Sequence, residues 1–270
     1  MTGSRFKNKQ QINYMRHIIK MSILLGLVFT ASLVKTDGQN LRIAVAANAQ
    51  FVTDSLKKAF QKGHPGKIEL IVSSSGKLTA QIEHGAPYDI FMSADMLYAK
   101  TIFNAGNALT KPKVYAAGKL VLWTTKDLPV TGLDALKNPA IKSIAVASPK
   151  TAPYGVAAIT ALKKAGIYAS IKNKIVFGES ISQVNQYQLS GATDVAFTAL
   201  SIVQSPELRH KGKWTEISSN LYEPIDQGVI ILKHAGNANS DQLKQAKDFY
   251  QFLFSAQGKA IFTYFGYNVK

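Results

Sequence analysis

Four segments of this 270-residue chain gather hydroxyl, amide and small residues where an apolar run gives way to a helical pattern. They are Ala47-Asn48, Ser73-Ser74-Ser75-Gly76, "PKTAPYG" from Pro149 to Gly155, and "GESIS" from Gly178 to Ser182. The chemistry such junctions supply is hydrogen-bond donation. A helix start has N–H groups without an intrahelical acceptor and carries a partial positive charge. Several starts turned toward one cleft therefore form a cradle for an anion without lysine or arginine. Serine and asparagine are also ordinary helix N-caps, whether or not anything binds. Three hydroxyls in a row exceed what one cap needs, and the glycine after them allows close approach to the backbone.

Other chemistries find less support. Ser74 and Lys77 fit Ser-x-x-Lys, a nucleophile pattern of penicillin-recognising enzymes, but no Ser-Asp-Asn or Lys-Thr-Gly companion is present. An exported serine hydrolase is the remote alternative on this pattern. Neither a Walker A loop nor Gly-x-Gly-x-x-Gly occurs. The five histidines, His17, His64, His84, His210 and His234, are isolated, with no pair at metal-ligand spacing. The absence of cysteine excludes disulfides, thiolate metal sites and a lipid-modified N-terminal cysteine. Asp89 and Asp95 flank one apolar segment and read as caps or braces, and Tyr250, Tyr264 and Tyr267 as packing.

The elements that must hold the junctions alternate. "LRIAVA", "KIELIVSSS" and "YDIFMSA" read as strands, separated by helical runs over "FVTDSLKKAFQK" and "GKLTAQIEHG". A second series follows: strands in "GKLVLWTTK", "SIAVASP", "KNKIVFGES" and "DVAFTAL", with helices in "TAPYGVAAITALKKAGI" and "ISQVNQYQLSG". "QGVIILKH" is a further strand, and the chain is helical from Ser240 nearly to its end. This order predicts an α/β fold of two lobes, each a mainly parallel sheet flanked by helices. The chain is expected to cross between lobes near residues 118–124 and 226–232. That assigns 40–120 plus 230–270 to lobe 1 and 121–229 to lobe 2.

Residues 1–39 stand apart. Arg5, Lys7, Lys9, Arg16 and Lys20 precede the apolar "MSILLGLVFTASLV", the pattern of a signal peptide and short for a membrane span. The formal charge is +16; without residues 1–39, which hold six basic residues and one acid, +11 remains. The lysines are scattered and interleave with no nucleic-acid motif, so the charge reads as long-range attraction for anions.

The junction segments also carry a resemblance. "IAVAANAQFVTDSLKKAF", "SSSGKLTAQIEHGAPYDIFMSAD", "ASPKTAPYGVAAITALKKAGI" and "FYQFLFSAQGKAIFTYFGY" together resemble the periplasmic molybdate-binding proteins of ABC importers, over nearly everything after the signal. The resemblance implies a type II periplasmic-binding fold, with the ligand held in the interlobe cleft. It implies a monomeric protein in the periplasm, exported by its signal peptide, that carries molybdate or tungstate to an inner-membrane ABC permease. No enzyme activity, cofactor, direct metal ligand or nucleic-acid partner is implied, because molybdenum is held as its oxyanion. Carried over by position, Asn48, Ser75, Tyr154 and Ile181 contact the anion, Ser75 through its hydroxyl and Tyr154 and Ile181 through backbone N–H groups. Ala47 and Phe197 are further expected positions. Phe197 stands where some relatives place a tyrosine hydroxyl, so the site makes one bond fewer or the Asn48 amide replaces it.

The same residues bear on selectivity. Molybdate is fully deprotonated at neutral pH, so a site of donors suits it. Hydrogen phosphate keeps a proton and calls for an acceptor; no acid falls at the expected contact positions, and Glu179, within "GESIS", is the one near them. A sulfate, thiosulfate or other oxyanion receptor of the same fold is the alternative. A ferric-ion binder would want converging tyrosines and acids, which the junctions do not supply.

Overall fold

The computed structural model describes residues 40–238 and 240–269. The segment expected to be a signal peptide lies outside the described residues. Two five-stranded sheets organise the chain from Asn40 onward, with orders β2-β1-β3-β10-β4 and β7-β6-β8-β5-β9. The first comprises β1 (Leu41–Ala46), β2 (Ile68–Ser73), β3 (Ile90–Met92), β4 (Lys113–Gly118) and β10 (Ile225–Ile231). The second comprises β5 (Leu120–Thr124), β6 (Ile144–Ala147), β7 (Ile175–Gly178), β8 (Val195–Ala199) and β9 (Lys213–Glu216).

The two sheets follow one plan. β1 pairs parallel with β2 and β3, while β10 runs antiparallel to both β3 and β4. In the second sheet β6 pairs parallel with β7 and β8, and β5 is the antiparallel strand between β8 and β9. Four strands of each sheet thus share a direction. The fifth is the strand that has just arrived from the other sheet. β4 ends at Gly118 and β5 begins at Leu120, so the outward crossing is a single residue long. The return precedes Ile225, because all of β10 belongs to the first sheet; residues 225–229 therefore lie with lobe 1, earlier than the crossing expected from the sequence.

Alternation along β1 explains how its sheet is covered. Leu41, Ile43 and Val45 pack with Val52, Leu56 and Phe60 of helix α1 (Gln50–Gln61) and with Phe249 and Phe262 of the C-terminal helices. Ala44, on the opposite face, joins Leu78 and Ile82 of α2 (Ser75–Glu83) and Ile102 of α3 (Met96–Asn104). Each fully buried leucine or phenylalanine contributes about 1.5–3 kcal/mol. The second sheet has one large core around Trp123, Val146 and Phe197, closed by α4 (Pro153–Lys164) and α5 (Ile181–Leu189).

Besides short helices such as Tyr168–Ile171, Leu200–Val203 and Lys233–Ala238, three longer or sheet-forming elements lay outside the sequence expectation: β4, β9 and α3. β4 and β9 are edge strands: β9 pairs with the reverse-running β5, and β4 with the reverse-running β10, apart from a single bridge between Ala117 and Asn268. β9, "KWTE", is largely exposed and charged at both ends, so it lacks a period-two apolar pattern. The C-terminal helix also divides, into Ser240–Leu253 and Ala256–Tyr264, because Ser255 caps a new start by accepting the Gly258 N–H at 3.1 Å.

Candidate functional site

In sheets of this kind the parallel strands deliver their C-terminal ends to one side, where the helices begin. Five such ends meet at one small cavity, with about 190 Å³ of space including its mouth. Ala46, Ala47 and Asn48 line it from the end of β1, Ser74 and Ser75 from β2, and Ala94 from beyond β3. Ala152, Pro153 and Tyr154 reach it after β6, and Ile181 after β7. The cavity thus lies between the sheets, and no lining residue carries a formal charge.

Its polar groups are mostly donors. Ser75 is 1% exposed, and its Oγ accepts the Ala94 N–H at 2.9 Å, leaving its own proton to donate. Tyr154 and Ile181 stand in the first turns of α4 and α5, where N–H groups have no intrahelical acceptor. Plain capping accounts for α5, whose N-cap Ser180 accepts from the Gln183 N–H. It does not account for α2 or α4. Ser74 occupies the N-cap position of α2 and Ala152 that of α4, and neither makes a side-chain cap bond.

Behind the cavity lies a buried polar network that sequence reasoning missed. Gln227 of β10, fully buried, accepts from Asn48 Nδ2 at 2.9 Å and from Tyr115 Oη at 2.5 Å. Its own Nε2 donates to Tyr154 Oη at 3.2 Å. Tyr267 Oη accepts from Asn48 Nδ2 and donates to the Asn48 carbonyl, which Ser201 Oγ also bonds at 2.8 Å. One amide on the returning strand therefore ties the Asn48 turn of the first lobe to the Tyr154 helix start of the second. Burial holds the Tyr154 and Tyr115 phenols well above their usual range and pushes Tyr267 up to about 12, so all three stay neutral hydrogen-bonding groups. The available signal was a lone amide opening the apolar run "QGVIILKH".

The lobes also touch at the cavity rim. The Gly76 N–H donates to the Thr151 carbonyl at 2.9 Å, Tyr98 Oη to the Lys150 carbonyl at 3.2 Å, and Ser182 Oγ to Gln50 Oε1 at 3.0 Å. Lys77 pairs with Glu179 across the same seam. A Cβ on Gly76 would stand 3.0 Å from the Thr151 Cα and 2.9 Å from Tyr98 Oη. The glycine expected to admit a ligand to the backbone instead admits the opposite lobe.

Asn48, Ser75, Tyr154, Ile181 and Ala47 all line the cavity. The Asn48 amide nitrogen is committed to Gln227 and Tyr267, so the replacement donor expected from it is already used inside the protein. Phe197 does not line the cavity. It is 1% exposed, in register with Leu122 of β5 in mid-strand, and its ring is taken up in packing within the second-lobe core. Lys77 lies with Glu179, and the Ser74 hydroxyl makes no hydrogen bond, so Ser74 has no base to activate it. Asp95 caps α3 by accepting the Tyr98 N–H, and Asp89 braces Arg42 N–H, His234 and Gln242. Among the described residues no cluster of three or more His, Asp or Glu could hold a metal ion.

Comparison with known proteins agrees with this geometry. A family model described as bacterial extracellular solute-binding protein matches residues 41–268. The molybdate-binding protein ModA of Azotobacter vinelandii is 35% identical over 214 residues, covering 77% of this chain and 85% of that relative. ModA of Rhodobacter capsulatus is 32% identical, covering 90% of this chain and 93% of its own. Among solved structures, the Azotobacter vinelandii periplasmic molybdate-binding protein superposes with a TM-score of 0.79 at 30% identity, covering 86% of this chain and 100% of that one.

Proposed function

The chain belongs to the family of bacterial extracellular solute-binding proteins, and from that premise we propose that it captures molybdate, and with it tungstate, for an ABC transporter. Its fold is the two-lobed type II periplasmic-binding fold. The observation that carries the reading is a cavity at converging strand ends, lined by hydroxyls, amide-bearing turns and small residues and by no charged side chain.

Such a site suits a dianion. The Ser75 hydroxyl and the N–H groups of Tyr154 and Ile181 donate, with further N–H groups from the Ala47-Asn48 turn. Hydrogen bonds to a charged acceptor are roughly twice as strong as neutral ones, and helix ends present their dipoles already oriented. Excluding water between the lobes strengthens each bond. The rim bonds made by Gly76, Tyr98 and Ser182 support a closed form that a permease could tell from an open one.

Phosphate is disfavoured by the lack of a carboxylate acceptor among the lining residues. Glu179, the nearest candidate, is half exposed and paired with Lys77, and it is not a lining residue. In this reading the protein is exported to the periplasm, acts as a monomer that docks on a membrane permease, catalyses no reaction and binds no nucleic acid.

Thermal unfolding of the anion-free protein tests the reading, with molybdate, tungstate, sulfate and phosphate added separately at equal concentration. A ligand at 100 times its Kd adds about 2.7 kcal/mol of stability. A shift with molybdate and tungstate alone is expected. An equal shift with sulfate would reduce the assignment to a general oxyanion receptor, and no shift with any anion would refute it.

A further inference from the structure

We propose that Ser74 is a second hydroxyl donor to the bound anion, acting beside Ser75; the inference rests on the anion-capture reading above. Ser74 lines the cavity and is 3% exposed. Its Oγ is buried and has no hydrogen-bond partner. Buried hydroxyls are ordinarily paired, because stripping one of water without a replacement costs free energy.

The ordinary uses of this hydroxyl are absent. It stands at the N-cap position of α2 with extended backbone, φ −69° and ψ 149°, which is cap geometry, yet it makes no cap bond. The Gly76 N–H, one of the two that a cap side chain would take, is bonded to the Thr151 carbonyl instead. Lys77 is turned to Glu179 across the seam. The neighbouring Ser75 Oγ already accepts from Ala94.

What remains is the cavity. A serine hydroxyl can rotate its proton toward an acceptor, and a tetrahedral dianion offers four oxygens, each able to take more than one bond. Two hydroxyls side by side on the β2 junction would serve one face of such an anion.

The test is calorimetric titration of sodium molybdate and sodium sulfate into wild type, Ser74→Ala, Ser74→Cys and Ser75→Ala, with thermal unfolding of each variant without anion. Ser74→Ala should raise the molybdate Kd roughly ten- to hundredfold, the loss expected for one hydrogen bond to a charged acceptor. Ser74→Cys, which fills the place with a weak donor, should lose about as much. The unliganded Ser74→Ala protein should unfold at the wild-type temperature or above, because the change removes an unpaired polar atom and breaks no bond. An unchanged Kd in Ser74→Ala, with binding lost in Ser75→Ala, would overturn the Ser74 assignment alone. A lowered unfolding temperature with unchanged Kd would overturn it too, by making Ser74 a structural residue. Absence of binding to wild type would remove the anion reading itself.

Discussion

Replacing Gln227 with leucine should destabilise the protein and weaken anion binding, although Gln227 does not line the cavity. The side chain is fully buried and bonds Tyr115 Oη, Asn48 Nδ2 and Tyr154 Oη. Asn48 keeps Tyr267 as a partner, so the groups left without one are the two phenols. At about 1–3 kcal/mol for each buried polar group left unpaired, the loss comes to about 3–4 kcal/mol. For a chain of this size that is a fall of roughly 6–15 °C in Tm. Tyr154→Phe removes one bond of the same set and should cost about 1–2 kcal/mol. In the leucine background the phenol has already lost its partner, so Tyr154→Phe should then cost little. Urea denaturation of wild type, both single variants and the double variant gives the coupling directly, expected at about 1–2 kcal/mol. Calorimetry on the same set should show the molybdate Kd rising several-fold in Gln227→Leu, because the Asn48 turn and the Tyr154 helix start lose their common tether. Additive stabilities, or a Gln227→Leu variant as stable as wild type, would refute the network. An unchanged Kd would refute its link to the cavity.

Ser75→Ala should raise the molybdate Kd at least tenfold and also lower Tm, since the buried Ala94 N–H loses its acceptor; titration of the folded variant checks both effects. Glu179→Gln should change the molybdate Kd by less than about threefold, because both members of the Lys77–Glu179 pair are about half exposed and such pairs contribute about 0–1 kcal/mol; a large effect in 0.15 M salt would place the carboxylate at the anion. Asp194 is partly desolvated, which by itself raises its pKa. The Lys126 ammonium and the N–H groups of Lys142 and Ser143 outweigh that and hold it at about 2. A depressed carboxylate stabilises the fold above its unfolded pKa near 4, and that stabilisation is lost as pH falls toward 2. Asp194→Asn should therefore be less stable than wild type at pH 7, with the difference shrinking between about pH 5 and pH 2 in acid titrations followed by circular dichroism.

Local pattern was enough to show that this is an α/β protein with donors at its helix starts. The alternation of "LRIAVA", "KIELIVSSS" and "SIAVASP" with periodic apolar runs sets the strand–helix order, and that order sends strand ends and helix starts to one side. The segments that hold Asn48, Ser75, Tyr154 and Ile181 were legible because each lies between a strand and the helix that follows it, whereas the individual positions came from the family resemblance. Tertiary structure alone decided which neighbouring side chains face the cavity. β8 is buried along its whole length, so its apolar run did not tell that Phe197 belongs to the second-lobe core and not to the cavity lining. At the β2 junction both Ser74 and Ser75 reach the cavity, but only their hydrogen bonding separates the hydroxyl bonded by Ala94 from the one left without a bond. Gln227 lies 179 residues from Asn48 and 73 from Tyr154, so no local period could have joined them. Edge strands such as β9 escaped for a related reason: they bury too little on either face to impose an apolar period, and only pairing with a distant strand makes them strands at all.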